Sequence, residues 1–380
     1  MNKCAIILIT LTGLAFHVLL RAQSVDSEAM ILKKHIAPVK ALAYNSDGSV
    51  LASAGDDKVV YLWNTATGDL MGSFDVFFMI KDLQFTPQGE LLAASGRDII
   101  LLNMSGEIIR TYKGYTTDVW SLSYSWLTGK VTGGSYSKSI RIWDFTTAAT
   151  YRLLEGHEKS CLPVCLDPSG TLLASGSLDN SVRLWDVNKG EELHKMELHS
   201  GNVFTLAFHP SGKLLLSGSA DKTIRLWNVE TGEIIRTYTG HEGAVLSVRF
   251  SNNGKHFLSC SADRTIVLWE TATGNRLYTF NSHNDIVNCI RFSPDGNSFA
   301  SASDDQTVCI RRLGKNCYTD YYYLNEIEKA RAASSLFEPR RNGETRQEYI
   351  DRTNKANDYL NELYGEYYEK YIEQLNLIDP

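Results

Sequence analysis

The sequence predicts an all-β repeat protein that carries an α-helical C-terminal extension. The first observation is a constant interval of 42 residues between tryptophans, which are Trp143, Trp185, Trp227 and Trp269. The second is the same interval between histidines, which are His157, His199, His241 and His283. A fixed period of this length indicates stacked units of supersecondary structure. The third observation is that the period stops after Gly314, where Tyr, Glu, Lys and Leu become frequent.

Each repeat has the pattern of short β-strands. Hydrophobic residues alternate with polar ones, as in the segment that contains Val245, Val248 and Phe250, and β-branched and aromatic residues are common. Short segments rich in Gly, Asp, Asn and Ser separate the strands, for example at 251–254 and 293–296. This organisation predicts four short strands in each repeat.

The repeats begin with Gly-His, contain a Ser-Gly-Ser-x-Asp turn, as at 217–221, and end with Trp-Asp, as at 185–186. In this combination the chain resembles the WD40 family of β-propellers. The resemblance implies a seven-bladed propeller over residues 28–315. The seven three-strand units are centred on 39–63, 80–102, 119–143, 161–185, 203–227, 245–269 and 287–311. The last unit lacks an outer strand, so we expect segment 28–34 to pair with it and close the ring.

The resemblance also implies that a His, Ser, Asp and Trp of each blade form a buried hydrogen-bonded tetrad. The predicted tetrad residues are His35, Ser53, Asp57 and Trp63; His157, Ser175, Asp179 and Trp185; His199, Ser217, Asp221 and Trp227; His241, Ser259, Asp263 and Trp269; and His283, Ser301 and Asp305. Three repeats depart from the pattern. Arg311 replaces the last tryptophan, Leu102 replaces that of the second repeat, and Tyr115 and Ser137 replace His and Asp in the third.

The repetition of these residues argues against catalysis. A set such as His199, Ser217 and Asp221 resembles a hydrolase triad, but it recurs in repeat after repeat, which a catalytic site does not require. The chain has no Gly-rich phosphate loop, and the segment 157–161, His-Glu-Lys-Ser-Cys, does not lie in a helix as a zinc motif would require. We therefore predict a protein that is not an enzyme and that has no cofactor and no bound metal.

A partner surface is predicted at the channel mouth on the narrow face of the ring. The position after the first buried residue of each inner strand should emerge there, because side chains alternate along a strand. These positions are Lys40, Lys81, Trp120, Leu162, Phe204, Leu246 and Asn288. Exposed aromatic residues within a polar rim are typical interaction anchors. The alternative is that Trp120 and Phe204 only fill the channel entrance.

The first 22 residues have the layout of a secretory signal peptide, with an apolar stretch from Ala5 to Phe16. An uncleaved membrane anchor is the alternative, and no later segment predicts a membrane span. Export would favour disulfides among the six remaining cysteines, yet these occupy ordinary strand positions, so free buried thiols are the favoured interpretation.

The net charge of −6 and the lack of any Lys or Arg block exclude a nucleic-acid footprint. Residues 317–380 predict α-helices at Thr345–Leu375 and Tyr323–Leu336. The Tyr and Leu stripe of the longer helix either packs on the propeller or docks a partner.

Together these features predict an exported or periplasmic, non-catalytic scaffold for protein interactions. An enzyme or small-ligand binder that uses the central channel is the first alternative. A regulatory relative of larger propeller-protease proteins is the second, because the run at 337–352 loosely resembles a segment of exported bacterial proteins. Neither the identity of the partner nor the oligomeric state follows from the sequence.

Overall fold

The computed structural model describes residues 29–338, 341 and 343–378. The predicted signal peptide at 1–22 lies outside the described residues. The strands of the N-terminal half are β1 Ala29–Lys33, β2 Val39–Tyr44, β3 Val50–Gly55, β4 Val59–Asn64, β5 Leu70–Asp75, β6 Ile80–Phe85, β7 Leu91–Ser95, β8 Asp98–Leu102, β9 Ile108–Tyr112, β10 Val119–Ser125, β11 Lys130–Ser135, β12 Ile140–Asp144 and β13 Thr150–Leu154.

The remaining strands are β14 Cys161–Leu166, β15 Leu172–Ser177, β16 Val182–Asp186, β17 Glu191–Met196, β18 Val203–Phe208, β19 Leu214–Ser219, β20 Ile224–Asn228, β21 Ile234–Tyr238, β22 Val245–Phe250, β23 His256–Ser261, β24 Ile266–Glu270, β25 Arg276–Phe280, β26 Val287–Phe292, β27 Ser298–Ser303 and β28 Thr307–Arg312. Two α-helices follow, α1 Asn316–Ala333 and α2 Arg346–Ile378, with a 3₁₀ turn at Ser335–Phe337 between them.

The described strands form six antiparallel sheets, so the prediction of seven separate closed blades is wrong. Five sheets have four strands each: sheet A is β2–β5, sheet B is β6–β9, sheet D is β18–β21, sheet E is β22–β25, and sheet F is β26–β28 with β1. Sheet C has eight strands, β10–β17, in which β11 pairs with β14.

The two halves of sheet C join because their backbones come unusually close. Ser135 pairs with Cys161 across the junction. A Cβ atom at Gly134 would lie 2.1 Å from the carbonyl oxygen of Leu162, so only glycine permits this approach. The hydroxyl of Ser121 donates to the same carbonyl at 2.7 Å and accepts from the Val164 N–H at 3.0 Å. Small residues at this junction therefore allow the two halves of sheet C to come close enough to pair.

The N-terminal segment pairs with the last strand, as the sequence predicts. In β1, Ala29 lies opposite Arg311 and Lys33 lies opposite Thr307 of β28. This pairing supplies the fourth strand of sheet F and covers an edge that would otherwise be open. Leu32 of β1 is buried in the cluster that also contains Val308 and Ile310.

The first strand of each repeat lines the centre of the molecule. Each packs against the next along the chain, and β26 packs against β2, so these strands surround a central channel. The middle strands of every sheet are buried on both faces because neighbouring sheets cover them. In sheet D, for example, Leu215 lies opposite Trp227 and Leu216 lies opposite Leu226, and all four side chains are buried.

The helical extension packs on sheet E and its neighbour. The shorter helix occupies Asn316–Ala333, earlier than the predicted Tyr323–Leu336, because it starts directly after β28 and ends at the extended residue Ser334. The longer helix matches its predicted centre but reaches Ile378. Tyr371 and Leu375 of α2 and Cys317 of α1 join the core formed by Leu277 and Phe280.

Of the six cysteines in the described part, all but Cys165 are buried, and Cys161, Cys165, Cys260, Cys289 and Cys317 are free thiols. Neither α1 nor α2 is long and apolar enough to cross a membrane.

Candidate functional site

The predicted tetrad residues lie in contact in sheets A, C, D and E. In sheet D, the Trp227 indole donates to Ser217 Oγ at 2.8 Å, Ser217 Oγ lies 2.8 Å from His199 Nε2, and His199 Nδ1 lies 2.8 Å from Asp221. The other three complete sets repeat these contacts at 2.7–3.0 Å: His35, Ser53, Asp57 and Trp63; His157, Ser175, Asp179 and Trp185; and His241, Ser259, Asp263 and Trp269.

Sheet F retains three of the four groups. His283 Nδ1 lies 3.0 Å from Asp305, and His283 Nε2 lies 2.8 Å from Ser301. Arg311 occupies the position of the tryptophan and is buried beside the ring of Phe280.

Burial sets the electrostatics of each tetrad. It lowers the pKa of His199, although the hydrogen bond to Asp221 opposes this effect. Burial also opposes ionisation of Asp221, but hydrogen bonds from Thr223 and His199 outweigh it and lower the pKa of Asp221 to about 2. The imidazole is therefore neutral and the carboxylate ionised at neutral pH. All of these donors and acceptors are used in joining a loop to its strands, so the arrangement is structural.

Sheet B and the first half of sheet C, β10–β13, lack the tetrad, whereas the second half of sheet C has the complete set of His157. In sheet C, the buried hydroxyl of Tyr115 donates to the Gly133 carbonyl and accepts from the Arg141 N–H at 2.7 Å. In sheet B, the corresponding loop has no histidine. The hydroxyl of Ser95 donates to the Phe78 carbonyl at 3.4 Å, but the same contact accompanies the tetrad in sheet D, where Ser219 donates to the Gly201 carbonyl at 2.9 Å. Sheet B therefore keeps this secondary contact without the tetrad.

The channel is a cavity of about 900 Å³ that runs between the first strands. Six of the seven predicted partner positions line it: Lys40, Lys81, Trp120, Phe204, Leu246 and Asn288. Lys40 pairs with Asp304 at 2.5 Å, Lys81 pairs with Asp56 at 2.7 Å, and the Trp120 ring meets Tyr136 edge to face. We call this end of the ring, which carries the loops 34–38 and 76–79, the mouth face.

Leu162 does not line the cavity and is only 2% exposed. The bulge at the start of β14 shifts the register by one residue, as in β18, and Pro163 lines the cavity at the position that Thr205 has in β18. The Leu162 carbonyl lies against Gly134 at the junction of the two halves of sheet C, where it accepts from Ser121.

An apolar patch on the mouth face was not predicted from the sequence. Phe77, Phe78 and Met79 lie in the loop before β6 and are 80%, 60% and 46% exposed. Phe78 rests against Gly96, where a Cβ atom would lie 2.9 Å from its ring. The signal in the sequence was the run of three large apolar residues directly after Val76, which stands at the position of the tetrad histidine.

The contact between helices and propeller centres on the buried carboxylate of Glu270, another feature that sequence reasoning missed. Tyr371 of α2 donates to Glu270 at 2.9 Å, and Tyr322 of α1 donates to it at 2.7 Å. His256 Nε2 lies 2.6 Å from the Tyr371 hydroxyl, and burial lowers the pKa of His256 to about 4. The signal was Glu270 itself, since Asp or Asn follows tryptophan in the other complete repeats.

Within the part of the chain that the structure describes, no group of three or more His, Cys, Asp or Glu side chains is placed to hold a metal ion. His157, in the segment that resembles a zinc motif, is bound to Asp179 and Ser175 instead.

A comparison with family models decides the family. The model "WD domain, G-beta repeat" matches residues 27–64, 106–144, 149–186, 190–228, 232–270 and 274–311, which together exceed half of the chain. The chain belongs to the WD40 family. The unmatched stretch 65–105 contains the first three strands of sheet B, the WD40 sheet that carries the apolar patch.

The WD40 relatives that the chain matches are eukaryotic. It is 24% identical over 144 residues to transcription initiation factor TFIID subunit 5 of Caenorhabditis elegans, covering 37% of this chain and 22% of that protein. It is 33% identical over 98 residues to eukaryotic translation initiation factor 3 subunit I of Danio rerio, covering 25% and 30%. It is 27% identical over 145 residues to a component of chromatin assembly factor 1 of Mus musculus, covering 38% and 22%. The matches thus span less than a third of each of these relatives.

These relatives correct two predictions. The interpretation as a secreted bacterial type of WD40 protein is not supported, because the matched proteins are eukaryotic. The prediction of an exported, periplasmic or secreted location is wrong, because the names of the relatives place them in transcription, translation and chromatin assembly. WD40 proteins of this kind are generally non-catalytic scaffolds for protein interactions.

Proposed function

We propose that this chain is a non-catalytic scaffold whose protein partner docks on the mouth face of the propeller. The observation that carries the proposal is the exposure of Phe77, Phe78 and Met79, three consecutive large apolar side chains on one loop. Such a run is unfavourable on a free surface and is typical of an interaction site. In the sheets with a complete tetrad, a buried histidine holds the corresponding loop instead.

The chemistry of the face favours a partner segment with aliphatic or aromatic side chains. The lysines at the mouth are already paired, Lys40 with Asp304 and Lys81 with Asp56, so the rim offers little net charge. Ile36, on the neighbouring loop, is also exposed, and Trp120 lies at the channel mouth next to Tyr136. Apolar and aromatic anchors inside a polar rim are the usual source of binding energy at protein interfaces.

The test uses the full chain and a partner identified by crosslinking through the mouth face and then purified. The double variant Phe77→Ser and Met79→Ser removes apolar surface but keeps Phe78, which packs on Gly96. We expect the affinity for the partner to fall by about tenfold or more, because hot-spot residues contribute about 2 kcal/mol or more each. Calorimetric titration measures the affinity, and thermal unfolding should shift little because both side chains are exposed.

The matched control is Trp126→Ser and Leu127→Ser, in the turn between β10 and β11 at the opposite end of the channel. These side chains are 66% and 56% exposed, so the control removes a similar apolar surface. We expect it to leave the affinity unchanged. Equal losses for both double variants, or full binding by the mouth-face variant, would contradict the proposal.

A further inference from the structure

The wall of the channel is built in tiers, because alternate residues of each first strand point inward. The fifth residue of each strand forms one tier, deeper than the mouth positions. Its members all line the cavity: Ala43, Gln84, Ser123, Cys165, Ala207, Arg249 and Arg291. Only the last two are charged, and they lie on the neighbouring strands β22 and β26.

The two arginines have different partners. Arg291 Nη2 lies 3.0 Å from Asp82 of β6. It reaches across β2, whose inward residues Ala41 and Ala43 are small. Arg249 donates only to main-chain carbonyls, that of Val248 at 2.7 Å and that of Leu206 at 3.4 Å. Among the described residues, no carboxylate lies within ion-pair distance of the Arg249 guanidinium.

Arg249 therefore lacks the carboxylate partner that the other cations of the channel have. At the mouth, Lys40 and Lys81 are each matched by an aspartate, and deeper in the channel Arg291 is paired with Asp82. The remaining carboxylate that lines the cavity, Asp167, accepts hydrogen bonds from the Ser169 and Leu172 N–H groups of its own turn. Burial and, next, the positive charge of Arg291 lower the pKa of Arg249, as expected for a cation without a counterion. Arg249 thus lacks a carboxylate partner in a chain whose net charge is −6.

We propose that the channel binds a small phosphate-type oxyanion between Arg249 and Arg291. Guanidinium groups donate in a planar fork that matches two oxygens of such an anion, and a partly enclosed site strengthens the interaction. The small side chains of Ala43, Cys165 and Ala207 leave space beside the arginines in a cavity of about 900 Å³. The site is separate from the proposed partner surface and does not depend on it.

The test is calorimetric titration of the full chain with pyrophosphate, at an ionic strength held constant with NaCl. Arg249→Gln should weaken binding by about tenfold or more, because it removes the unpaired guanidinium. Asp82→Asn should tighten binding several-fold, because it removes the competing negative charge and frees Arg291. Asparagine keeps one oxygen, which can accept from the Leu122 N–H as Oδ2 of Asp82 does, whereas the bond from the Leu83 N–H to Oδ1 is lost.

The matched control is Arg346→Gln, which removes an exposed arginine at the start of α2. We expect it to leave pyrophosphate binding unchanged. If Arg249→Gln does not fold, Arg249→Lys replaces it, and it should weaken binding because a lysine offers a point charge instead of a fork. The opposite signs expected for the Arg249 and Asp82 variants separate a binding role from a merely structural one. No saturable binding by the native chain, equal binding by all variants, or weaker binding by Asp82→Asn would overturn the proposal.

Discussion

Sheet D and sheet B solve the same structural problem in different ways. In sheet D, the tetrad of His199, Ser217, Asp221 and Trp227 ties the entering loop to the strands through buried hydrogen bonds. Sheet B lacks the tetrad and keeps only the bond from Ser95 to Phe78, which sheet D also has, between Ser219 and Gly201. Its loop presents Phe77, Phe78 and Met79 to solvent. The difference teaches that loss of the polar link frees a loop to carry an apolar surface.

Acidification should give the largest difference in stability between the sheets with a tetrad histidine and sheet B, because several imidazoles are protonated together. Burial lowers the pKa of each of these histidines, in spite of the aspartate beside it: His35, His157, His199 and His283. The folded state thus favours the neutral ring. The resulting stability is fully present above pH 6.5, the pKa in the unfolded chain, and is lost as pH falls from there towards the lower folded pKa.

Hydrogen exchange measured between pH 7 and pH 4.5, and expressed as protection factors, checks this prediction. Sheets A, D and F should lose protection on acidification, whereas sheet B, which has no tetrad histidine, should lose less. A uniform loss over all sheets would show that the tetrads do not set the pH dependence.

Removal of a tetrad carboxylate should give the next largest loss of stability. Asp221 accepts hydrogen bonds from His199, from the Ser200 N–H and from both the N–H and hydroxyl of Thr223. Asp221→Ala leaves these donors unpaired and should cost about 1–3 kcal/mol of unfolding free energy. Chemical denaturation measures the change.

The control is Ser137→Ala at the corresponding position of sheet C. The side chain of Ser137 bonds only within its own turn, to Ser139, and it is half-buried. Its replacement should stay within about 0.5 kcal/mol. Equal losses of unfolding free energy for Asp221→Ala and Ser137→Ala would contradict the role of the tetrad in holding the loop to its strands.

The tyrosine that substitutes for a tetrad in sheet C gives a smaller effect. Tyr115→Phe leaves the Gly133 carbonyl and the Arg141 N–H without their side-chain partner, at a cost of about 1 kcal/mol. Tyr136→Phe, whose ring is exposed, serves as the control and should be neutral. If Tyr115→Phe is also neutral, the hydroxyl is no substitute for the histidine, and the first half of sheet C, β10–β13, resembles sheet B in lacking a polar link.

The sequence predicts the features of the fold that recur in every repeat. Strand positions follow from alternation and turn residues, and the pairing of β1 with β28 follows because only one extended segment remained for the last repeat. The merging of sheet C was not predicted, since it depends on the close approach of the backbones at Gly134 and Leu162. Periodicity describes the average repeat and gives no information on single exceptions.

The same reason explains the missed parts of the candidate site. Glu270 differs from its counterparts by one methylene or by charge, but its partners Tyr322 and Tyr371 are distant in sequence. The helix pattern predicted an apolar stripe without the surface that it covers. The unpaired state of Arg249 likewise depends on which neighbouring strands carry carboxylates, and a strand pattern does not contain that information.

The ion pairs at the mouth should give the smallest effect, and they extend the comparison to the junctions between sheets. Lys81 of sheet B pairs with Asp56 of sheet A, and Lys40 of sheet A pairs with Asp304 of sheet F. Asp304 also accepts from Asn288 at 2.8 Å, so it keeps a partner when the lysine is removed. Lys81→Gln should therefore destabilise the fold slightly more than Lys40→Gln.

Both losses should remain below about 1 kcal/mol, because the paired side chains keep 21–23% of their surface exposed and water screens them in part. Denaturation in 1 M NaCl, where the screening length is about 3 Å, should reduce the difference between each variant and the native chain. A loss that persists unchanged in high salt would mean that the lysines contribute by packing along the channel wall. The junctions of sheets A and B would then resemble the apolar junctions near Phe204 and Leu246, and the contrast between the two regions would rest on the tetrads alone.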